Sequence, residues 1–160
     1  METLGQALAE AQRIAWEDPG PEWFAPARAT IESFDAAAAA SPPGSGLNAP
    51  WRVLSHLRTG YALWARWLEG EEADPADFGA TEEWTPIEDP PPAAWAVVVA
   101  DAVAEEARLR RVIASLPDDV LFTPDPRFGE TPLTMILSFI AHTSYHAGEL
   151  RTLASAFLRR

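Results

Sequence analysis

Residues 131–157 read TPLTMILSFIAHTSYHAGELRTLASAF, and the spacing of their side chains decides the fold. Stepping alternately by four and three residues picks out Met135, Phe139, His142, His146, Glu149 and Leu153. Such steps follow one stripe of an α-helix packed against a neighbour. The stripe is apolar at both ends and polar in the middle.

The run from Ala49 to Glu69 carries a matching stripe of Ala49, Val53, His56, Gly60, Leu63 and Trp67. Its strongly polar member is again a histidine, and the two runs hold all three histidines of the chain. His142 and His146 lie one helical turn apart and can point at one centre. A residue in a packing stripe is at least partly desolvated, and burying imidazoles without partners is unfavourable. A divalent metal would satisfy all three while keeping them neutral, in a three-ligand site with an open position. The competing reading is three hydrogen-bonded core histidines. The paired spacing and the third histidine in a second stripe favour metal.

The remaining segments read as helix and connection. Thr3–Trp16 repeats Leu4, Leu8, Ala11 and Ile14/Ala15 at helical spacing, and Asp18-Pro19-Gly20-Pro21 stops it. A shorter helix is expected over Pro26–Ala40, ended by Ser41-Pro42-Pro43-Gly44-Ser45-Gly46. Asn48 is a candidate N-cap for the second long helix, with Pro50 near its first turn and Gly70 at its end. The acidic stretch Glu71–Asp89 is long enough to travel the length of a bundle, letting helices two and three run parallel. Asp89-Pro90-Pro91-Pro92 opens helix three, which ends near Leu116-Pro117-Asp118-Asp119. A loop through Pro124, Pro126 and Gly129 leads to the last helix. With no internal repeat, residues 1–160 are expected to form a single all-α domain.

Composition narrows the function classes. The chain has 160 residues, enough to bury roughly 70% of its unfolded surface. A formal charge of -12 opposes a general phosphate-backbone binder, so no nucleic-acid partner is expected. It equally opposes a polybasic membrane-surface protein. There is no cysteine, hence no disulfide, thiolate ligand or thiol nucleophile, and a metal must be held by nitrogen and oxygen. The start Met1-Glu2-Thr3-Leu4 lacks a leader pattern, and no apolar run reaches membrane length. We expect a cytoplasmic protein with no membrane partner.

Glu149 extends the polar patch to His142-x-x-x-His146-x-x-Glu149. Four roles are open to it: orienting an imidazole, binding the metal, acting as general base, or forming a surface salt bridge. The pattern is not the zinc-protease His-Glu-x-x-His motif, because Thr143 stands where that motif needs glutamate. Gly60, one turn beyond His56, either leaves room for a substrate or permits close helix packing. Trp51, Tyr61, Trp64 and Trp67 are expected mainly in the core, with one or two over the proposed metal. Asp74, Asp77, Glu82 and Glu83 lack a regular ligand spacing and read as solvated.

Two segments carry a family likeness. Pro50-Trp51-Arg52-Val53-Leu54-Ser55-His56-Leu57 and His142-Thr143-Ser144-Tyr145-His146-Ala147-Gly148-Glu149-Leu150 resemble the first-histidine segment and the terminal His-x-x-Tyr-His-x-Gly-Gln/Glu pattern of the DinB/YfiT-like superfamily of proposed metalloenzymes. The resemblance implies a four-helix bundle, often dimeric, with a long crossover between helices two and three. It also implies a three-histidine site for zinc or nickel, mapping onto His56, His142 and His146. Some relatives are thiol transferases using bacillithiol, mycothiol or glutathione, and others are hydrolases or isomerases. The name records induction by DNA damage, not DNA binding. Glu149 stands where glutamine is common in the family, and the first helical region is interrupted at Asp18–Pro26.

The resulting expectation is a metal-dependent enzyme acting on a small molecule. It would be an S-transferase with a low-molecular-weight thiol cosubstrate, or a hydrolase, with Glu149 as the candidate catalytic residue. The alternatives are a non-catalytic metal- or ligand-binding bundle and a degenerate member without metal. Tryptophan content and family habit imply a homodimer.

Overall fold

Side-chain caps open the first and last helices of this chain. A computed structural model describes residues 2–17, 26–72 and 92–158. Thr3 and Gln6 exchange hydrogen bonds in a capping box that opens α1 (Leu4–Trp16). The Thr131 hydroxyl accepts from the Thr134 amide, with Pro132 in the first turn, to open α7 (Pro132–Phe157). Between them lie α2 (Ala27–Glu32), α3 (Ala36–Ala40), α4 (Pro50–Leu68), α5 (Pro92–Ser115) and α6 (Asp118–Phe122). All regular structure among the described residues is helical.

Four long helices pack in a ring: α1 touches α5 and α7, and α4 touches the same two. Contact pairs fix the directions. Trp51 meets Trp95, Arg58 pairs with Asp101, and Glu69 pairs with Arg108, so α4 and α5 run parallel. Asn48 meets Glu149, His56 meets His142, Gly60 faces Phe139 and Trp67 meets Phe128, so α4 and α7 run antiparallel. The ends joined by residues 73–91 therefore lie at opposite ends of the bundle. That segment, with Asp74, Asp77, Glu82, Glu83 and the Asp89–Pro91 helix start, is outside the described residues, as is the Asp18–Pro21 stop signal.

Three sequence expectations need correction. The stretch 26–40 is two short helices, because Ser33 Oγ donates to the Thr30 carbonyl and Asp35 caps a new helix by accepting from the Ala38 amide. Helix α6 follows Pro117 with Asp118 and Asp119 in its first turn, a start signal within a segment read as loop. Asn48 is not the cap of α4. The cap position is Ala49, with no side-chain hydrogen bond, and Asn48 reaches across to α7 instead.

Aromatic rings fill the middle of the core. Trp16 packs edge-on against Tyr61 at 5.4 Å, and Tyr61 against Phe139 at 5.5 Å. Leu54, Leu57, Leu109, Ile113, Leu150 and Leu153 are fully buried around them. Each such side chain contributes roughly 1.5–3 kcal/mol relative to exposure. At one end, Trp67 Nε1 donates to Asp125, whose carboxylate is held down to about 2, first by hydrogen bonding to Arg127. This locks the loop before α7 onto α4.

The buried face of α1 is also more polar than its leucine spacing suggests. Gln12 is fully buried and makes long hydrogen bonds to Glu106 at 3.4 Å and Thr143 at 3.5 Å. Glu106 is itself fully buried, 2.9 Å from Arg110. Burial pushes its carboxyl up to about 7, against the pull of the Arg110 guanidinium. In the unfolded chain the same group ionises near 4.5, so its contribution to stability is present below that pH. The contribution is lost as pH rises to about 7. The melting temperature of the wild type minus that of E106Q should therefore fall between these two values and flatten above them. A difference that stays constant or rises with pH would contradict this account of Glu106.

Candidate metal centre

The antiparallel register of α4 and α7 sets the three imidazoles at one level of the bundle. His56 comes from α4, and His142 and His146 come from successive turns of α7. His56 Nε2 lies 2.9 Å from His142 Nε2, which lies 3.0 Å from His146 Nε2. One nitrogen from each ring falls within 4.8 Å of the others. A tetrahedral ion with bonds of about 2.0–2.1 Å needs ligand nitrogens about 3.3–3.4 Å apart. The two Nε2 spacings of 2.9 and 3.0 Å fall a few tenths of an ångström short of that value, and neutral nitrogen donors suit a borderline-soft divalent ion. The cluster thus fits a divalent metal site.

Protonation favours the same use. His56 and His142 are both pushed down to about 4, chiefly by burial and then by the neighbouring imidazoles. At neutral pH both rings are therefore uncharged, each with one unprotonated nitrogen, which metal ligation requires.

Glu149 sits behind the cluster. Its Oε2 is 2.7 Å from His146 Nδ1, the ring nitrogen opposite the one that faces the centre. Its Oε1 accepts from Asn48 Nδ2 at 3.0 Å. The hydrogen bond from His146 holds the carboxyl below its usual range, with a smaller effect from Asn48, while burial opposes both. An ionised carboxylate only accepts, so the Nδ1 proton of His146 donates to it, and in the neutral ring the lone pair is then on Nε2, which faces His142. Asn48 was missed as a site residue because its position before Ala49-Pro50 matches a helix cap. No local signal marks its reach across to the far helix.

A cavity of about 300 Å³ opens beside His56 and His142. Trp64, Leu63 and Phe139 wall it, so Trp64 is the aromatic of α4 that leaves the core for the site, while Trp51, Tyr61 and Trp67 are buried. Gly60 also lines the cavity, and a Cβ there would meet the Phe139 ring at 3.2–3.3 Å. Both roles considered for this glycine hold: it makes room, and it admits the ring of the neighbouring helix. Tyr145 lies edge-on to His146 at 4.9 Å and is largely exposed.

The Asn48–Glu149–His146 chain has the form of an outer support for a metal ligand. Losing such a support typically weakens metal binding about 10–100-fold. Zinc titrated against a chromophoric chelator should show a loss of that size in E149A and a smaller loss in N48A. Unchanged affinity in E149A would remove the support role.

Comparison with curated proteins and with solved structures found no match. The family model of the DinB superfamily matches residues 6–150, a span containing all three histidines, Asn48 and Glu149. The chain belongs to the DinB superfamily.

Proposed function

We propose that this protein is a divalent-metal-dependent enzyme in which His56, His142 and His146 hold zinc or nickel with a position open toward the cavity. The observation that carries the reading is the convergence of three ring nitrogens, two of them on imidazoles that desolvation keeps neutral, at the side of an apolar cavity. Such an ion lowers the pKa of a bound water or thiol and supplies a nucleophile near neutral pH. The reaction class is S-transfer with a low-molecular-weight thiol, or hydrolysis. The thiol route is favoured by family resemblance alone.

The chain's own residues have separable tasks in this reading. The three imidazoles hold the ion, and Glu149 fixes the ring and tautomer of His146. Both oxygens of Glu149 are already engaged, one by His146 and one by Asn48. That favours a positioning residue over a general base, and leaves the ion's remaining position to a small molecule.

A homodimer and a cytoplasmic location belong to the same proposal. Among the described residues no helix is long and apolar enough to cross a membrane. Sedimentation should give about twice the 17.4 kDa chain mass, and a species at the chain mass would contradict the dimer.

Protein purified without a His-tag or added metal should contain stoichiometric zinc or nickel. H146A should lose that metal and its S-transfer or hydrolytic activity, with helix content retained. Metal content near zero, unrestored by adding either ion, would favour a degenerate family member. Unchanged activity in H146A would exclude the catalytic site.

A further inference from the structure

The cavity beside the histidines has a chemistry of its own. Trp64 and Phe139 stack at 5.0 Å with planes 33° apart, and Phe139 continues to His142 at 5.6 Å and 34°. Three rings thus form a continuous aromatic wall running from the cavity to a proposed metal ligand. Leu63 adds an aliphatic side, and Gly60 presents bare backbone where any side chain would displace the Phe139 ring. The one hydroxyl lining the cavity among the described residues is that of Ser138.

No lysine or arginine lines this cavity among the described residues. Arg58 and Arg66 line a different cavity beside α5, on which Leu63 also borders. The net charge of -12 adds a field that opposes an approaching anion. An anionic group entering the pocket would lose water without gaining a cation from its walls, which is costly. A flat apolar ring loses nothing comparable and gains stacking on the wall.

Size agrees. An apolar cavity of about 150 Å³ is enough to hold benzene. The space here is about 300 Å³, which accommodates such a ring with a short substituent. We propose that this cavity selects a neutral, flat aromatic group and presents its substituent to His56 and His142. The inference rests on the metal-site reading only for what happens at the substituent. Selection of the ring depends on Trp64, Phe139, Leu63 and Gly60.

The test uses the full chain, metal-free and zinc-loaded, with benzyl alcohol as the neutral probe and benzenesulfonate as the anionic one. Binding is followed by saturation-transfer NMR and calorimetry. In the metal-free chain, where no ion can capture the sulfonate, benzyl alcohol should bind at least about tenfold more tightly. W64A should weaken benzyl alcohol about tenfold in both forms while leaving zinc affinity unchanged. S138F, at an exposed position on the cavity lining, should block the probe without disturbing the core and covers the case in which W64A fails to fold. Equal or tighter binding of benzenesulfonate would overturn the proposal. So would benzyl alcohol binding that is absent, or that survives both substitutions. A chain that takes no zinc yet binds benzyl alcohol in a Trp64-dependent way would refute the metal reading and leave this one standing. Zinc binding without probe binding would do the reverse.

Discussion

The contact between Gly60 and Phe139 sets the relation of α4 to α7, and the site depends on that relation. With no side chain on Gly60, the Phe139 ring lies against the α4 backbone. One turn from Gly60 along α4 is His56, and close to one turn from Phe139 along α7 is His142. Fixing the first pair at one level fixes the second. His146 follows a turn later, and Glu149 then falls level with Asn48 at the start of α4. A slip of α7 by one turn would break all these pairs together. The same contact leaves the cavity open next to the imidazoles, so packing and access are set by one missing side chain.

Electrostatics reinforces this geometry. Desolvation of His56 and His142 disfavours their charged forms, which leaves lone pairs where like charges would otherwise repel. The ionised carboxylate stands behind the cluster, on His146 alone, where it orders one ring without competing for the centre. A second buried polar group lies in the bundle, around Gln12, Glu106 and Thr143. Thr143 is the neighbour of His142 in α7 but faces α1, so one helix serves two polar centres on different faces.

Much of this was legible in the sequence, for physical reasons that also mark where legibility stops. Alternating steps of four and three through His142, His146 and Glu149 report a helix face directly, because side-chain direction follows the helical period. The all-α fold, the parallel packing of α4 and α5 and the grouping of His56 with the α7 pair all agree with that reading. Features set by tertiary contacts were not legible. Asn48 carries the same local signal whether it caps a helix or crosses to Glu149, and only the antiparallel register decides. Gln12 carries no local signal of burial, yet Glu106 and Thr143 meet it in the core. The break at Ser33–Asp35 turned on two short-range hydrogen bonds that a run of helix-forming alanines obscured.

The central claim is that three imidazoles hold an ion whose remaining position faces a small molecule. X-ray absorption at the zinc and nickel edges, on untagged protein purified without added metal, tests it most directly. The account predicts three imidazole nitrogens at about 2.0–2.1 Å and at least one light, exchangeable ligand completing the shell. Absence of either metal, or a shell closed by the Glu149 carboxylate, would contradict it.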